Sequence, residues 1–474
     1  MLFNSWQYGL FLPLVVGVYF CLSTRKQNWF LLCASYFFYG CWDWRFLSLI
    51  WISTAVDFLV ARSLPSAEGP RRRLLLLTSV CVNLGILGFF KYFNFFIESL
   101  AFLIEAVGLE AHMPVLRIVL PVGISFYTFQ TMAYTIDVYR GKTDPCPDLL
   151  NFALYVCYFP QLVAGPIERP GRLLPQIANR REVSLERFGS GAVLILIGLF
   201  RKVAIADVAA RMVDPVFDNP VDAGAVAVVR ATIAFGLQIY GDFAGYSDIA
   251  RGTSRLLGIE LMENFNHPYF ATNITVFWRR WHVSLSSWLR DYLYIPLGGN
   301  RGPRWFVYRN LFLTMLLGGL WHGAGWNFVI WGGIHGLALA LHKLWLREAK
   351  PPDSPKCESA ADWAKVIVSW GLTTIIVYVA WVFFRSPDWA TTAEVFRQLG
   401  NWEASGALSA RPALGLAGLW LMMLVIDIPQ ARRRDHLAPM RWHWVPQGLA
   451  YAGMIIAILT LRVDTDVPFI YFQF

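Results

Sequence analysis

Apolar runs follow one another along almost the whole chain, separated only by short polar loops, and this limits the fold more than any single motif does. Hydrophobic residues make up 56% of the 474 residues and charged residues only 15%, with mean hydropathy +0.45 and 21 tryptophans. A helical crossing of a bilayer needs about 20 mostly apolar residues. Roughly a dozen or slightly more stretches approach that description: 8–22, 29–41, 46–60, 74–90, 93–107, 118–135, 149–163, 189–206, 225–240, 308–320, 328–344, 363–384, 414–428 and 448–461. The runs are continuous rather than alternating, which argues against a membrane β-barrel. The expectation is an all-α polytopic membrane protein. Several runs are shorter than a full crossing, so tilted, half-length or re-entrant helices are expected among them.

The net charge of +9 does not point to nucleic acid, because Lys and Arg occur in short clusters between apolar runs rather than on one soluble face. Arg25 with Lys26, Arg62 with Arg71 to Arg73, and Arg140 with Lys142 fall in every second loop, while Glu98, Glu105 and Glu110 lie between the last two groups. By the excess of basic residues in cytoplasmic loops, this places the N-terminus outside and the basic loops inside. The first run has no basic segment before it and no small-residue cleavage site after it, so it reads as a retained span. The polar stretches 169–186, 347–362 and 388–411 are too short to bury cores of their own, and the chain reads as a single membrane domain, 1–474, with its motifs concentrated in 264–336. Seven scattered cysteines, among them Cys146, Cys157 and Cys357, form no Cys-x-x-Cys pair and imply neither a disulfide framework nor a metal site.

Two segments carry ionisable groups among Trp and Gly where lipid is expected: FWRRWHVSLSSWLRDYLYIPLGGNR from Phe277, and GGLWHGAGWNFVIWGGIHG from Gly318. Such groups are expensive at membrane depth and mark functional positions. Read as one helix, residues 278–297 place Trp281, Ser284, Trp288 and Tyr292 on one stripe and Arg279, His282, Ser286 and Arg290 on another. The arginines fit an interfacial helix or a phosphate-binding variant of it. His282 is balanced between catalysis and a structural hydrogen bond. His322, between two glycines, has backbone room for a close-lying substrate, and imidazole moves protons near neutral pH; catalysis stands slightly ahead of a packed helix-terminal role. His335 reads as structural. Asp57, Lys91, Asp137, Asp242, Asp248 and Asp427 read individually as buried pairs or helix-end contacts, and together as a polar interior or tunnel. No metal-ligand spacing, P-loop, serine elbow or dinucleotide fingerprint is present.

Several further motifs complete the picture: FLPLVVGVYF near the N-terminus, PVGISFYTFQTMAYTIDVYRG from Pro121, FPQLVAGPIERP from Phe159, YGDFAGYSDIARG from Tyr240, NFNHPYFATNITVFWRRWH from Asn264, and a closing PFIYFQF. With the two histidine segments, they make the chain resemble the membrane-bound O-acyltransferase superfamily, nearly end to end, and within it the alginate-type bacterial polysaccharide O-acetyltransferases. The resemblance implies a ring of tilted helices around a central tunnel, and transfer of an acetyl group from a cytoplasmic donor, acetyl-CoA, for O-acetylation of an exported polysaccharide such as alginate or cellulose. It implies His322 as the catalytic base and His282 as the second histidine. Arg279, Arg280, Trp281, Ser286, Arg290, Trp321 and Asn327 are candidates for holding the donor or lining the tunnel. A periplasmic acetyltransferase and a polysaccharide synthase or secretion complex are the implied partners, in the bacterial inner membrane, with no bound cofactor and no metal. A transporter or flippase, a scaffold subunit of a secretion complex, and D-alanyl transfer to teichoic acid remain the alternatives.

Overall fold

The computed structural model describes residues 1–110, 116, 118–163, 165–346, 358–402, 410–463 and 469–470. Cys357, parts of the polar stretches 347–362 and 388–411, and most of the closing PFIYFQF lie outside them. The described residues are helical, with no strand among them, and they group into two compact units. One comprises Met1–Ala192 with Ala250–Met262, the other Val193–Ile249 with Glu263–Phe474.

Among the described residues, seven helical segments are long and apolar enough to cross a membrane: Thr24–Ser63, Gly69–Ala106, Gly224–Leu256, Trp326–Leu346, Ala360–Arg385, Arg411–Arg433 and Trp444–Leu461. This is fewer than the apolar runs in the sequence, for physical reasons that differ by region. Runs 29–41 and 46–60 join through a single 3-10 turn, Trp44–Phe46, whose entry is capped by the Asp43 carboxylate accepting from the Arg45 N–H at 3.0 Å. Runs 74–90 and 93–107 join through the wide turn Gly88–Tyr92. Others are helices too short for a full crossing, such as Trp6–Phe20 with 15 residues and Leu149–Cys157 with 9. Run 225–240 is instead extended to Leu256, a helix of 33 residues that carries Asp242 and Asp248 along its length.

Those aspartates stay helical because each charge has a partner. In the second unit the wide turn Phe200–Ala206 buries Arg201 and Lys202. Arg201 pairs with Asp248 and, at 2.5 Å, with Asp427, to which the Tyr240 hydroxyl also donates at 2.7 Å. Lys202 lies 2.8 Å from both Asp207 and Asp242. In the first unit Asp57 accepts from Ser79 and Asn83, and Asn83 in turn accepts from Ser53 and Thr131. Of the membrane-depth charges expected to mark one polar interior, Asp57 belongs to one such cluster and Asp242, Asp248 and Asp427 to others. A buried charge persists only when compensated in this way.

The element that positions the candidate site is a helical hairpin in the second unit, Arg304–His322 followed by Trp326–Leu346. Glycines bring the two helices together. A Cβ on Gly319 would lie 2.1 Å from the Phe328 carbonyl oxygen, and one on Gly332 would lie 2.4 Å from that of Met315. Close approach of small residues replaces hydrophobic driving force where the surroundings are lipid.

Candidate active site

Residues 278–297 do not form the single helix expected. Helix Ile274–Arg280 ends at Trp281 in extended backbone, and a second short helix, Val283–Leu289, starts after His282. His282 adopts φ 43° and ψ 56°, the left-handed region that side chains with a Cβ rarely occupy. Holding it there costs of the order of 1–3 kcal/mol and requires the surroundings to over-determine it.

The segment around Asn264 does so. The Asn266 N–H donates to the Arg280 carbonyl and the Val283 N–H to the Asn264 carbonyl, both at 2.9 Å. The Asn264 side-chain oxygen accepts from the Ser284 N–H at 3.2 Å and the Ser284 hydroxyl at 2.9 Å, while its amide donates to Ser247 at 3.3 Å. The Ser286 hydroxyl donates to the Trp281 carbonyl at 3.0 Å. The helix break makes His282 the first residue before a new helix rather than a member of a polar stripe, so the proposed alignment of Arg279, His282, Ser286 and Arg290 does not hold.

His322 ends its helix, with Gly323 turning away in extended backbone. The ring centres of His282 and His322 lie 6.2 Å apart, and the two residues are 0% and 3% exposed, so both imidazoles are withdrawn from bulk solvent. Aromatic rings enclose them. Trp321 stands 6.0 Å from His282 and 5.0 Å from His322. Phe243 meets His282 edge-on at 4.6 Å, and Trp331 and Phe384 meet His322 at 5.0 and 5.4 Å. The glycines beside His322 do not leave room for substrate, as the sequence reading supposed: the space at Gly323 holds the Phe328 ring, and that at Gly319 the Phe328 backbone.

The other residues singled out from the sequence separate into groups. Trp321 is part of the histidine enclosure. Trp281 is core, packed on Phe265 at 5.1 Å and Trp381 at 5.0 Å. Ser286 serves the helix break. Asn327 donates its amide to the Ser386 carbonyl and the Thr392 hydroxyl, both at 3.0 Å, and so ties the hairpin to the end of helix Ala360–Arg385. Arg279 is exposed and Arg280 half-buried. Arg290 is exposed and pairs with the adjacent Asp291 at 2.8 Å. His335 accepts a hydrogen bond from Trp278 at 3.3 Å through Nδ1.

Sequence reasoning missed Asn264, Phe243, Trp331 and Phe384 as site residues, and Arg201, Lys202 and Asp207 as the partners of the acidic cluster. Trp331 had a usable signal, since it lies one helical turn before His335. Phe243 and Phe384 had none, because their contacts span long stretches of chain.

Among the described residues no group of three or more His, Cys, Asp or Glu side chains is arranged to hold a metal ion. An apolar cavity of about 570 Å³, lined by Tyr269, Tyr378, Trp370, Trp420, Ile233 and Leu424 among others, includes neither histidine in its wall.

Comparison with known proteins identifies residues 143–381 as a match to the model of MBOAT, the membrane-bound O-acyltransferase family. "Probable alginate O-acetylase AlgI" of Azotobacter vinelandii is 39% identical over 98% of this chain and 98% of its own length. The protein of the same name from Pseudomonas putida is 38% identical, with the same coverage of both chains. "Peptidoglycan O-acetyltransferase" of Helicobacter pylori is 36% identical over 82% of this chain and 77% of its own.

Proposed function

The chain belongs to the membrane-bound O-acyltransferase family, a multi-pass membrane acyltransferase, and from that premise we propose that it transfers acetyl groups for the O-acetylation of an exported polysaccharide. The observation that carries the reading is the pairing of His282 with His322 in a buried aromatic enclosure. Relatives named for acetylation of alginate and of peptidoglycan favour acetyl as the group and a glycan as its destination.

In this reading acetyl-CoA on the cytoplasmic side presents its thioester carbonyl beside His322. The incoming hydroxyl oxygen bonds to the carbonyl carbon while His322 takes the hydroxyl proton. Collapse of the tetrahedral intermediate breaks the C–S bond, and the departing thiolate recovers the proton from His322. His282 faces His322 at a ring separation wider than the roughly 5 Å of an in-line imidazole–imidazole hydrogen bond. That spacing suits a second histidine that orients the attacking oxygen. Burial of both rings limits hydrolysis of the thioester and fixes the reactants' approach.

The acceptor hydroxyl reaches this site from the opposite side of the inner membrane through a tunnel between tilted helices. A periplasmic acetyltransferase working with the polysaccharide synthase or secretion complex passes the group on to the polymer. In this arrangement the N-terminus is periplasmic, the side expected from the basic clusters along the sequence.

The test is alkali-labile acetate on the exported polysaccharide of cells carrying the wild-type chain or His322→Ala at equal membrane abundance. Loss of acetate with polymer yield unchanged is the expected result. Retained acetate removes His322 from the mechanism, and a fall in polymer yield itself redirects the function to transport or assembly.

A further inference from the structure

Helix Trp326–Leu346 carries two buried nitrogen donors one turn apart, at Trp331 and His335, which are 1% and 0% exposed. Their ring centres are 4.8 Å apart, and Trp331 is also 5.0 Å from His322. The Trp278 indole nitrogen, which can only donate, sits 3.3 Å from His335 Nδ1. Nδ1 is therefore the acceptor, and the proton of a neutral His335 ring is on Nε2. Neither His335 Nε2 nor Trp331 Nε1 has a hydrogen-bond acceptor among the described residues. The rings packed around them, Phe277 and Trp278 on His335 and Trp381 and Phe384 on Trp331, supply none.

Leaving a donor buried and unpaired costs about 1–3 kcal/mol. Two such donors lie on one helix face beside the histidine assigned as base. We propose that Trp331 Nε1–H and His335 Nε2–H receive the acyl carbonyl oxygen and hold its negative charge as the tetrahedral intermediate forms, with Trp278 as the positioning residue that keeps the His335 proton on Nε2. The proposal rests on the acyl-transfer reading of His322. In that step the hydroxyl oxygen bonds to the carbonyl carbon, the C=O π electrons move onto the oxygen facing the two N–H groups, and His322 takes the proton. Donors held in place before the reaction stabilise that charge without reorganisation.

The experiment uses membranes containing the full chain and its native acetylation machinery, with radiolabelled acetyl-CoA as the probe and label in the polymer as the readout. Trp331→Phe keeps the ring and deletes the N–H. Its kcat is expected to fall about 10²-fold with KM for acetyl-CoA nearly unchanged, the pattern of an interaction made only in the transition state. His335→Gln, which retains an N–H donor, is expected to keep more activity than His335→Leu, and Trp278→Phe to lower kcat less than Trp331→Phe does. Each variant is compared at equal membrane abundance and equal mobility in size-exclusion chromatography; if Trp331→Phe fails that check, the His335→Gln and His335→Leu pair decides. An unchanged kcat in Trp331→Phe, a rise in KM alone, or equal activity of the two His335 variants overturns the assignment. His322→Ala separates the two levels: transfer surviving in His322→Ala overturns the parent reading, whereas transfer lost there but intact in Trp331→Phe overturns only the oxyanion pair.

Discussion

His282 and His322 face each other at 6.2 Å although one introduces a short helix through a left-handed residue and the other closes a long one. The left-handed backbone separates the two demands on position 282, because glycine accepts that conformation without strain. His282→Gly and His282→Ala both vacate the ring's packed site, but the glycine variant is expected to lose less thermal stability than the alanine one, while each lowers polysaccharide acetate by about 10²-fold or more. Acetate measured against blotted protein level checks this, and full acetate in the glycine variant would leave His282 a purely structural residue.

The hairpin that carries His322 depends on backbone contact at particular glycines. Gly319→Ala drives a methyl group into the Phe328 carbonyl at 2.1 Å, and two packed helices must separate to relieve it. A loss of at least about 1–3 kcal/mol is expected, as for other overpacked cores. Gly333→Ala meets nothing closer than Leu316 Cδ1 at 3.8 Å and gains helix propensity, so it is expected to be neutral or slightly stabilising. Melting temperatures of the two variants in detergent, compared with wild type, distinguish contact at Gly319 from a general intolerance of the hairpin.

Arg201 compensates Asp248 and Asp427 in a site closed to water. Arg201→Met leaves those carboxylates without their cation and is expected to cost about 3–5 kcal/mol. The exposed pair of Arg45 with Asp43 is the control, and Arg45→Ala is expected to leave stability almost unchanged. Thermal unfolding monitored by intrinsic fluorescence provides both values; similar small shifts in the two variants would show that the buried network contributes no more than a surface pair.

Glu168 lies in the loop before helix Pro170–Ala178, outside the spanning helices, with its side chain fully buried. Burial pushes its carboxyl up to about 7; the Met262 N–H and the charges of Arg172 and Arg251 act in the opposite direction without cancelling it. A carboxyl raised in the folded state binds its proton more tightly there than in the unfolded chain. Its contribution to stability is complete below the ordinary Glu value and is lost as pH rises through about 7. Glu168→Gln is expected to flatten this part of the stability profile between pH 5 and 8, so that the variant gains on wild type toward the alkaline end. Parallel profiles for the two proteins would place the titration elsewhere.

Much of this protein was legible along the chain. Hydropathy is a local property, so uncharged runs specify helices in lipid without reference to any partner, and the Trp-His segments marked His282 and His322 as candidates. Local reading failed where a long-range contact changed the meaning of a residue. Asp242 and Asp248 interrupt a hydropathy profile but not the helix, because Arg201 and Lys202 neutralise them. The Arg-Trp-His segment has helical spacing yet breaks at His282, because Asn264 takes up the hydrogen bonds released there. Gly319 and Gly323 looked like space for a substrate and are instead filled by Phe328.

The sequence by itself determined the membrane environment and the helical class, and it singled out two histidines as candidates, since these follow from side-chain chemistry and short-range periodicity. Only the tertiary structure decided which groups surround those histidines. Phe243, Asn264, Trp331 and Phe384 reach the site from segments whose meeting depends on the packing of the whole unit, and no residue's own chemistry specifies the neighbour it will acquire from a distant part of the chain.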